Sequence, residues 1–107
     1  MERFVIEGGY PLSGTITPAG NKNAALAVLA ATILTEEEVL FSNVPPIGDV
    51  LTLVELLVDL GADVRETGPR ELAVCTRPLA KTCLDTDLCR KVRGGFMLSG
   101  PLLARFG

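Results

Sequence analysis

The sequence has 107 residues, of which 48% are hydrophobic and 21% are charged, and its formal net charge is -3. This composition is typical of a folded globular unit and excludes a disordered tail. The slightly acidic balance argues against a nucleic-acid-binding surface, because such domains usually carry a clear basic excess. Any anion site in this chain must therefore be local.

The cysteine and histidine content limits the kinds of metal or catalytic site that the chain can form. Cys75, Cys83 and Cys89 show no CxxC spacing, and the chain has no histidine. We therefore expect no metal site, no cysteine nucleophile and a reducing, cytoplasmic compartment. The start shows no secretory signal, and the longest apolar stretch, 24–34, is shorter than the roughly 18 to 20 residues of a membrane span. We expect neither nucleic acid nor a membrane as a partner.

The first third of the chain predicts strands followed by a buried helix. Residues 4–7 and 12–17 predict two short strands joined at a Gly-Gly pair. From Asn21 or Lys22 to Leu34 the residues are Ala-rich and apolar on all sides, which predicts a helix buried between other elements. We therefore expect a further layer against the far side of this helix.

The middle of the chain predicts two more strands and an amphipathic helix. Residues 39–42 predict a strand, and "NVPPIGD" a turn, after which Asp49 is a good N-cap for a helix to Leu60. Gly61 is placed as its C-cap. The runs "ADVRET" and "ELAVC" flank "GPR" as a hairpin. From residue 12 onward the elements follow the order βαβαββ.

The last quarter, "DTDLCRKVRGGFMLSGPLLARFG", predicts one helix with two irregular points. Asp85 or Asp87 is a candidate N-cap for a helix from about Leu88. A glycine pair lies inside this helix, and Pro101 is expected to end or kink it.

A single lysine lies at the mouth of the apolar helix, between two asparagines. A cation in a first helical turn is disfavoured by a few tenths of a kcal/mol to about 1 kcal/mol, unless an anion lies in front of it. With an anion present, the helix N-terminus, Lys22 and the amides of Asn21 and Asn23 would converge on a phosphate or carboxylate. A solvated surface lysine is the plain alternative. The glycine spacing misses a Walker-type phosphate loop by one residue, and Asn21 separates the glycine from the lysine.

A second cluster of cations repeats this pattern. Arg90, Lys91 and Arg93 lie in the first turns of the last helix, and Gly94-Gly95 follows. Missing side chains let a ligand or another backbone approach closely. A solvated basic face with glycines for helix packing is the alternative. Together, the two clusters suggest a ligand with more than one anionic group.

Four segments carry a resemblance to a known family. "GTITPAGNKNAAL", "NVPPIGDV", "LVDLGADV" and "VRGGFMLSGPLLARFG" resemble, in order and spacing, the amino-terminal quarter of the UDP-N-acetylglucosamine 1-carboxyvinyltransferases, a family of enolpyruvyl transferases. The resemblance covers essentially the whole chain. The sister enzyme that acts on shikimate 3-phosphate would carry a different pattern around its first-helix lysine.

The resemblance implies an α+β fold, a two-domain inside-out α/β barrel built of βαβαββ units. This chain would supply only the first unit and the following helix. Residues 1–19 would be strands of one barrel domain, and residues 20–107 the start of the second. No cofactor is implied.

The resemblance also implies a function. The enzymes of this family transfer the enolpyruvyl group of phosphoenolpyruvate to the 3-hydroxyl of UDP-N-acetylglucosamine with release of phosphate, at the start of peptidoglycan precursor synthesis. Lys22 and Asn23 would meet phosphoenolpyruvate and the sugar, and Arg93 with Gly94 would contact the nucleotide sugar. No residue of this chain matches the catalytic acid, which we expect downstream of Gly107, so the 107 residues alone are expected to be inactive.

Two other hypotheses remain at this stage. One is a non-catalytic anion-binding or oligomerising module that self-associates through its apolar helix. The other is an enolpyruvyl transferase with a different acceptor, such as shikimate 3-phosphate.

Overall fold

The computed structural model describes residues 1–80, 83–91 and 93–107, and it leaves the Arg93 side chain and the burial of Gly94 undescribed. The elements, in chain order, are α1 (Lys22–Ala31), β1 (Val39–Phe41), α2 (Gly48–Leu60), β2 (Asp63–Gly68), β3 (Glu71–Cys75), α3 (Thr86–Lys91) and α4 (Ser99–Phe106). Two 3-10 segments, Thr32–Leu34 and Arg93–Leu98, follow α1 and precede α4.

The three strands form one antiparallel sheet with the order β1-β3-β2. Val74 of β3 lies opposite Val39 on one side and Val64 on the other. The predicted hairpin is confirmed, and its turn places Arg70 at a φ of 58°. The strand predicted over 39–42 is also confirmed, one residue shorter.

The core lies between this sheet and the helices. α2 supplies most of it, because five of its apolar residues are buried along one face: Val50, Leu53, Leu56, Leu57 and Leu60. Leu29 of α1 and Val74 of β3 are fully buried in the same cluster. Each such aliphatic side chain contributes roughly 1.5 to 3 kcal/mol by leaving water. The amphipathic reading of α2 is thus confirmed.

α1 is buried on one side and exposed on the other. Ala25, Leu26 and Leu29 face the core, whereas Val28 is 47% exposed and Leu34, at the end of the 3-10 segment, is 60% exposed. The prediction of a helix from Lys22 to Leu34 is confirmed, with a tighter last turn. The described chain covers one face only, and the further layer expected against the other face stays a prediction.

Residues 1–19 lie outside the sheet and the helices. All of them are exposed, and the structure has no strand there, contrary to the prediction for 4–7 and 12–17. An isolated extended segment is not a strand until another backbone pairs with it, and within residues 1–80, 83–91 and 93–107 none does. The radius of gyration is 17.5 Å, compared with about 13 Å for a compact chain of this length.

The two ends of α2 differ in how well they were predicted. The helix begins two residues earlier than expected, with Ile47 as the N-cap and no side-chain cap, so the assignment of Asp49 as N-cap is wrong. Asp49 is instead the second helical residue, and its side chain accepts a hydrogen bond from Lys22. Gly61 is confirmed as the C-cap, with a φ of 112°. A side chain there would also come within 2.9 Å of the Pro78 carbonyl oxygen.

The carboxy-terminal region is more broken than one helix. Asp85 is confirmed as an N-cap, because its Oδ1 accepts from the Leu88 N–H at 2.9 Å. The helix runs from Thr86 to Lys91, and the glycine pair lies inside the 3-10 segment Arg93–Leu98. The prediction that Pro101 ends or kinks a helix is wrong. Pro101 is the third residue of α4, where a backbone N–H has no partner within the helix, so its absence costs little.

Candidate anion-binding site

Asn21 forms the start of α1. Its backbone is extended (φ -82°, ψ 129°), and its Oδ1 accepts from the Ala24 N–H at 3.0 Å. This is an ordinary N-cap, which satisfies one of the unpaired donors of the first turn. The Asn21 side-chain oxygen thus holds the helix, and the expectation that the amides of Asn21 and Asn23 act together on an anion stays a prediction. Asn23 is exposed in the first turn.

Lys22 forms an ion pair with Asp49. Its Nζ donates to Asp49 Oδ2 at 2.9 Å, and the two side chains are 41% and 38% exposed. The cation at the start of α1 is unfavourable by itself, whereas a carboxylate in the first turn of α2 is favourable. The pair therefore joins the first turns of two helices and supplies the counter-charge that the sequence had led us to seek in a ligand.

The segments that lead into the two helices are also joined. The Asn43 side-chain amide donates to the Pro18 carbonyl oxygen at 3.2 Å. A β-carbon built on Gly20 would overlap the carbonyl oxygen of Asn43 and lie 2.9 Å from Cδ of Pro45. Asn43 has a φ of 54°, a left-handed conformation that asparagine tolerates better than most residues. "PAGNKN" and "NVPPIGD", which the sequence separates by about 20 residues, thus form one surface.

A hollow of about 250 Å³ lies beside this surface. Its lining is mostly apolar or backbone: Gly20, Ala24, Ala25, Val28, Leu29, Phe41, Ser42, Asn43 and Val44. Because none of these side chains is charged, recognition of an anion falls to Lys22 and the helix N-termini. A second hollow, of about 300 Å³, lies between α2 and the hairpin and contains none of the predicted site residues.

The other predicted cluster is placed only in part. The 3-10 segment that carries Arg93 and Gly94 packs against α1 and α2, but the Arg93 side chain and the surroundings of Gly94 lie outside the described part of the structure. Their predicted contact with a ligand therefore stays a prediction. Gly95 is buried, and its Cα faces Leu56 and Cys89 rather than an open cleft. Arg90 and Lys91 are exposed on α3.

The cysteines and carboxylates of the described ranges form neither a disulfide nor a metal-binding cluster. Cys75, Cys83 and Cys89 are not in disulfides. Among residues 1–80, 83–91 and 93–107, no group of three or more metal-ligating side chains could hold an ion. The same residues include no helix that is long and apolar enough to cross a membrane.

Comparison with known proteins decides the family. The sequence model of the family described as EPSP synthase (3-phosphoshikimate 1-carboxyvinyltransferase) matches residues 6–107. The chain belongs to this family. The chain is 45% identical over 105 residues to UDP-N-acetylglucosamine 1-carboxyvinyltransferase of Bradyrhizobium diazoefficiens, covering 98% of this chain and 24% of that protein. It is 40% identical to the Borreliella burgdorferi protein of the same name, covering 100% and 25%.

A solved structure shows the same fold. The chain matches the enolpyruvyl transferase NikO from Streptomyces tendae with a TM-score of 0.78 and 26% identity, over 94% of this chain and 23% of that one. The predicted α+β, enolpyruvyl transferase-like fold class is confirmed, as is the resemblance to the UDP-N-acetylglucosamine 1-carboxyvinyltransferases. The chain spans about a quarter of the length of these relatives.

The sequence missed Asp49 as a member of the site. It was read as a cap for its own helix, which is the usual role of an aspartate before an apolar helical run. The only signal available was that a first-turn lysine needs a nearby anion. Neither argument predicts that the N-termini of α1 and α2 lie next to each other.

Proposed function

We propose that the protein takes part in the transfer of the enolpyruvyl group from phosphoenolpyruvate to the 3-hydroxyl of UDP-N-acetylglucosamine, with release of phosphate. In this reaction a carbon–oxygen bond to the sugar forms, the carbon–oxygen bond to phosphate breaks, and the hydroxyl proton is lost. The proposal rests on the relatives, which are named for this substrate at 40 to 45% identity over nearly the whole chain.

Within this reaction we assign Lys22 to the anionic substrate. An ammonium group has three N–H donors, and the ion pair with Asp49 uses one of them. The exposed remainder of Lys22 is free to donate to a phosphate or carboxylate at the start of α1. Such a fixed donor stabilises charge that develops on the departing phosphate. Asn23, Arg93 and Gly94 are the other substrate-binding residues of the proposal.

We further propose that the group that protonates the enolpyruvyl carbon lies outside these 107 residues. No motif of this chain matches it; Cys89 is a half-buried thiol packed against the core, and Cys75 is a half-buried thiol at the end of β3. The chain alone is then inactive, and catalysis belongs to a longer protein. In the cell that protein would act in the cytoplasm on the first committed step of peptidoglycan precursor synthesis, and so in cell wall biogenesis, cell shape and division.

The domain assignment is part of the same proposal. Residues 1–19 would belong to one barrel domain and residues 20–107 to the start of the other. The exposure of the whole amino-terminal segment supports this division, because its apolar residues need a surface that the rest of the chain does not provide. Phe4, Ile6, Leu12 and Ile16 are among them.

The test is phosphate release by the protein at its full encoded length, with phosphoenolpyruvate and either UDP-N-acetylglucosamine or shikimate 3-phosphate. We expect release with the nucleotide sugar only. Release with shikimate 3-phosphate only would favour the other acceptor, for which the family description is the one supporting observation. Release with neither would favour a non-catalytic anion-binding module.

A further inference from the structure

We propose that Asp49 is a positioning residue for Lys22, and that it sets the direction of the ammonium group at the cost of some affinity for the anionic substrate. This inference rests on the proposed function for its kinetic consequences. Its structural content, that Lys22 is ordered by Asp49, stands on the described contacts.

The fold brings Lys22 and Asp49 together from distant positions in the sequence. Lys22 and Asp49 are 27 positions apart, and they meet because the backbone before α1 is held against the backbone before α2. Gly20 allows this approach, since any side chain there would overlap the carbonyl oxygen of Asn43. The 2.9 Å contact between Nζ and Oδ2 is therefore a product of the fold around it.

The carboxylate of Asp49 limits the flexibility of the Lys22 side chain. A lysine side chain has a flexible four-carbon stem, and an exposed one samples many rotamers. Lys22 is 41% exposed, so packing alone does not fix its end. The carboxylate of Asp49, held by a helix whose other face is fully buried, supplies a fixed acceptor. The ammonium group is thereby restricted to one region in front of both first turns.

The charge of Asp49 also changes the electrostatic potential that an anion meets at Lys22. Lys22 and Asp49 together carry no net charge, so an incoming anion meets attraction from Nζ and repulsion from Oδ2. Replacing Asp49 by asparagine removes the repulsion and makes the potential at Nζ more positive, which strengthens binding of an anion in the ground state. The same change weakens the hold on Nζ. The first consequence lowers KM, and the second lowers kcat.

The test compares Asp49→Asn with wild type in the protein at its full encoded length. We expect kcat to fall by about 10- to 100-fold, because small misplacement of a charge-stabilising group is costly. KM for phosphoenolpyruvate should stay equal or fall. Glu55→Gln is the matched control, since it removes the same charge from an exposed position of α2 and should change kcat by less than about 2-fold. In a Lys22→Met background, Asp49→Asn should have no further effect on kcat.

A second readout does not depend on activity. With lysine labelled by carbon-13, the Cε methylene protons of Lys22 should give two distinct signals in wild type and Glu55→Gln, and one averaged signal in Asp49→Asn. Unchanged Lys22 signals, unchanged kcat, or a large rise in KM with kcat unchanged in Asp49→Asn would each overturn the inference. If wild type shows no transfer at all, the proposed function fails, and the Lys22 signals still decide whether Asp49 orders it.

Discussion

Arg105 of α4 donates from Nη1 to both the carbonyl oxygen and the hydroxyl of Thr76, each at 2.9 Å. The same nitrogen lies 3.2 Å from the carbonyl oxygen of Ile33, and the Arg105 side chain is only 15% exposed. Thr76 follows the last residue of β3, and Ile33 lies in the 3-10 segment after α1. One guanidinium group therefore ties α4 to two elements on which the core depends.

Arg105→Met should lower the free energy of unfolding by about 2 kcal/mol, because it leaves carbonyl oxygens of Thr76 and Ile33 without their charged donor. Urea unfolding followed by circular dichroism measures this. Arg77→Met is the control, since Arg77 is exposed beside Thr76 and its loss should cost less than about 0.5 kcal/mol. Equal losses of unfolding free energy in the two variants would show that the buried contacts of Arg105 stabilise the fold no more than an exposed arginine does.

Gly20→Ala should separate the segments that lead into α1 and α2. The added β-carbon would overlap backbone at Asn43, so we expect a loss of about 1 to 3 kcal/mol in unfolding free energy. Gly48→Ala is the paired control, because a β-carbon there meets no atom within 4 Å. That variant should be neutral or slightly stabilising. A Gly20→Ala protein as stable as wild type would contradict the close approach described above.

Asn21 and Asn23 should behave differently although they flank the same lysine. Asn21→Ala removes the N-cap of α1 and should cost about 1 kcal/mol of stability. Asn23→Ala changes an exposed first-turn residue and should cost less than about 0.5 kcal/mol, while raising KM or lowering kcat in the full-length protein. Thermal unfolding with steady-state kinetics on both variants separates the two roles. A reversed pattern would refute them.

The 107-residue chain should self-associate as its concentration rises, because Val28 and Leu34 leave an apolar strip of α1 and its 3-10 extension exposed. Sedimentation velocity should show larger species, and Val28→Glu should shift them towards monomer. Thr67→Glu adds the same charge at an exposed position of β2 and should leave association unchanged. Association that Val28→Glu does not reduce would place the contact elsewhere.

Local patterns predicted α2, the hairpin and the caps Asp85 and Gly61, since each depends on neighbours within one or two turns. The strands over 4–7 and 12–17 were not formed, because strand formation requires a partner that the described chain does not supply. Pro101 was misread because its effect depends on its position within a helix, and α4 begins only two residues before it, at Ser99. In the candidate site, Lys22 was predicted from its unfavourable position, and its binding role stays a prediction. Asp49 was not recognised as its partner, because their contact depends on the packing of two separate segments.

The most direct test of the account is the kcat/KM for phosphoenolpyruvate of Lys22→Met, measured in the full-length protein with UDP-N-acetylglucosamine as acceptor. We predict a fall of about 100-fold or more, since a preorganised cation at the departing phosphate is typically worth this much. Arg77→Met, which removes an exposed cation outside the site, should stay within about 2-fold of wild type. A Lys22→Met protein that also stays within this range would contradict the assignment of the α1 N-terminus as the anion site.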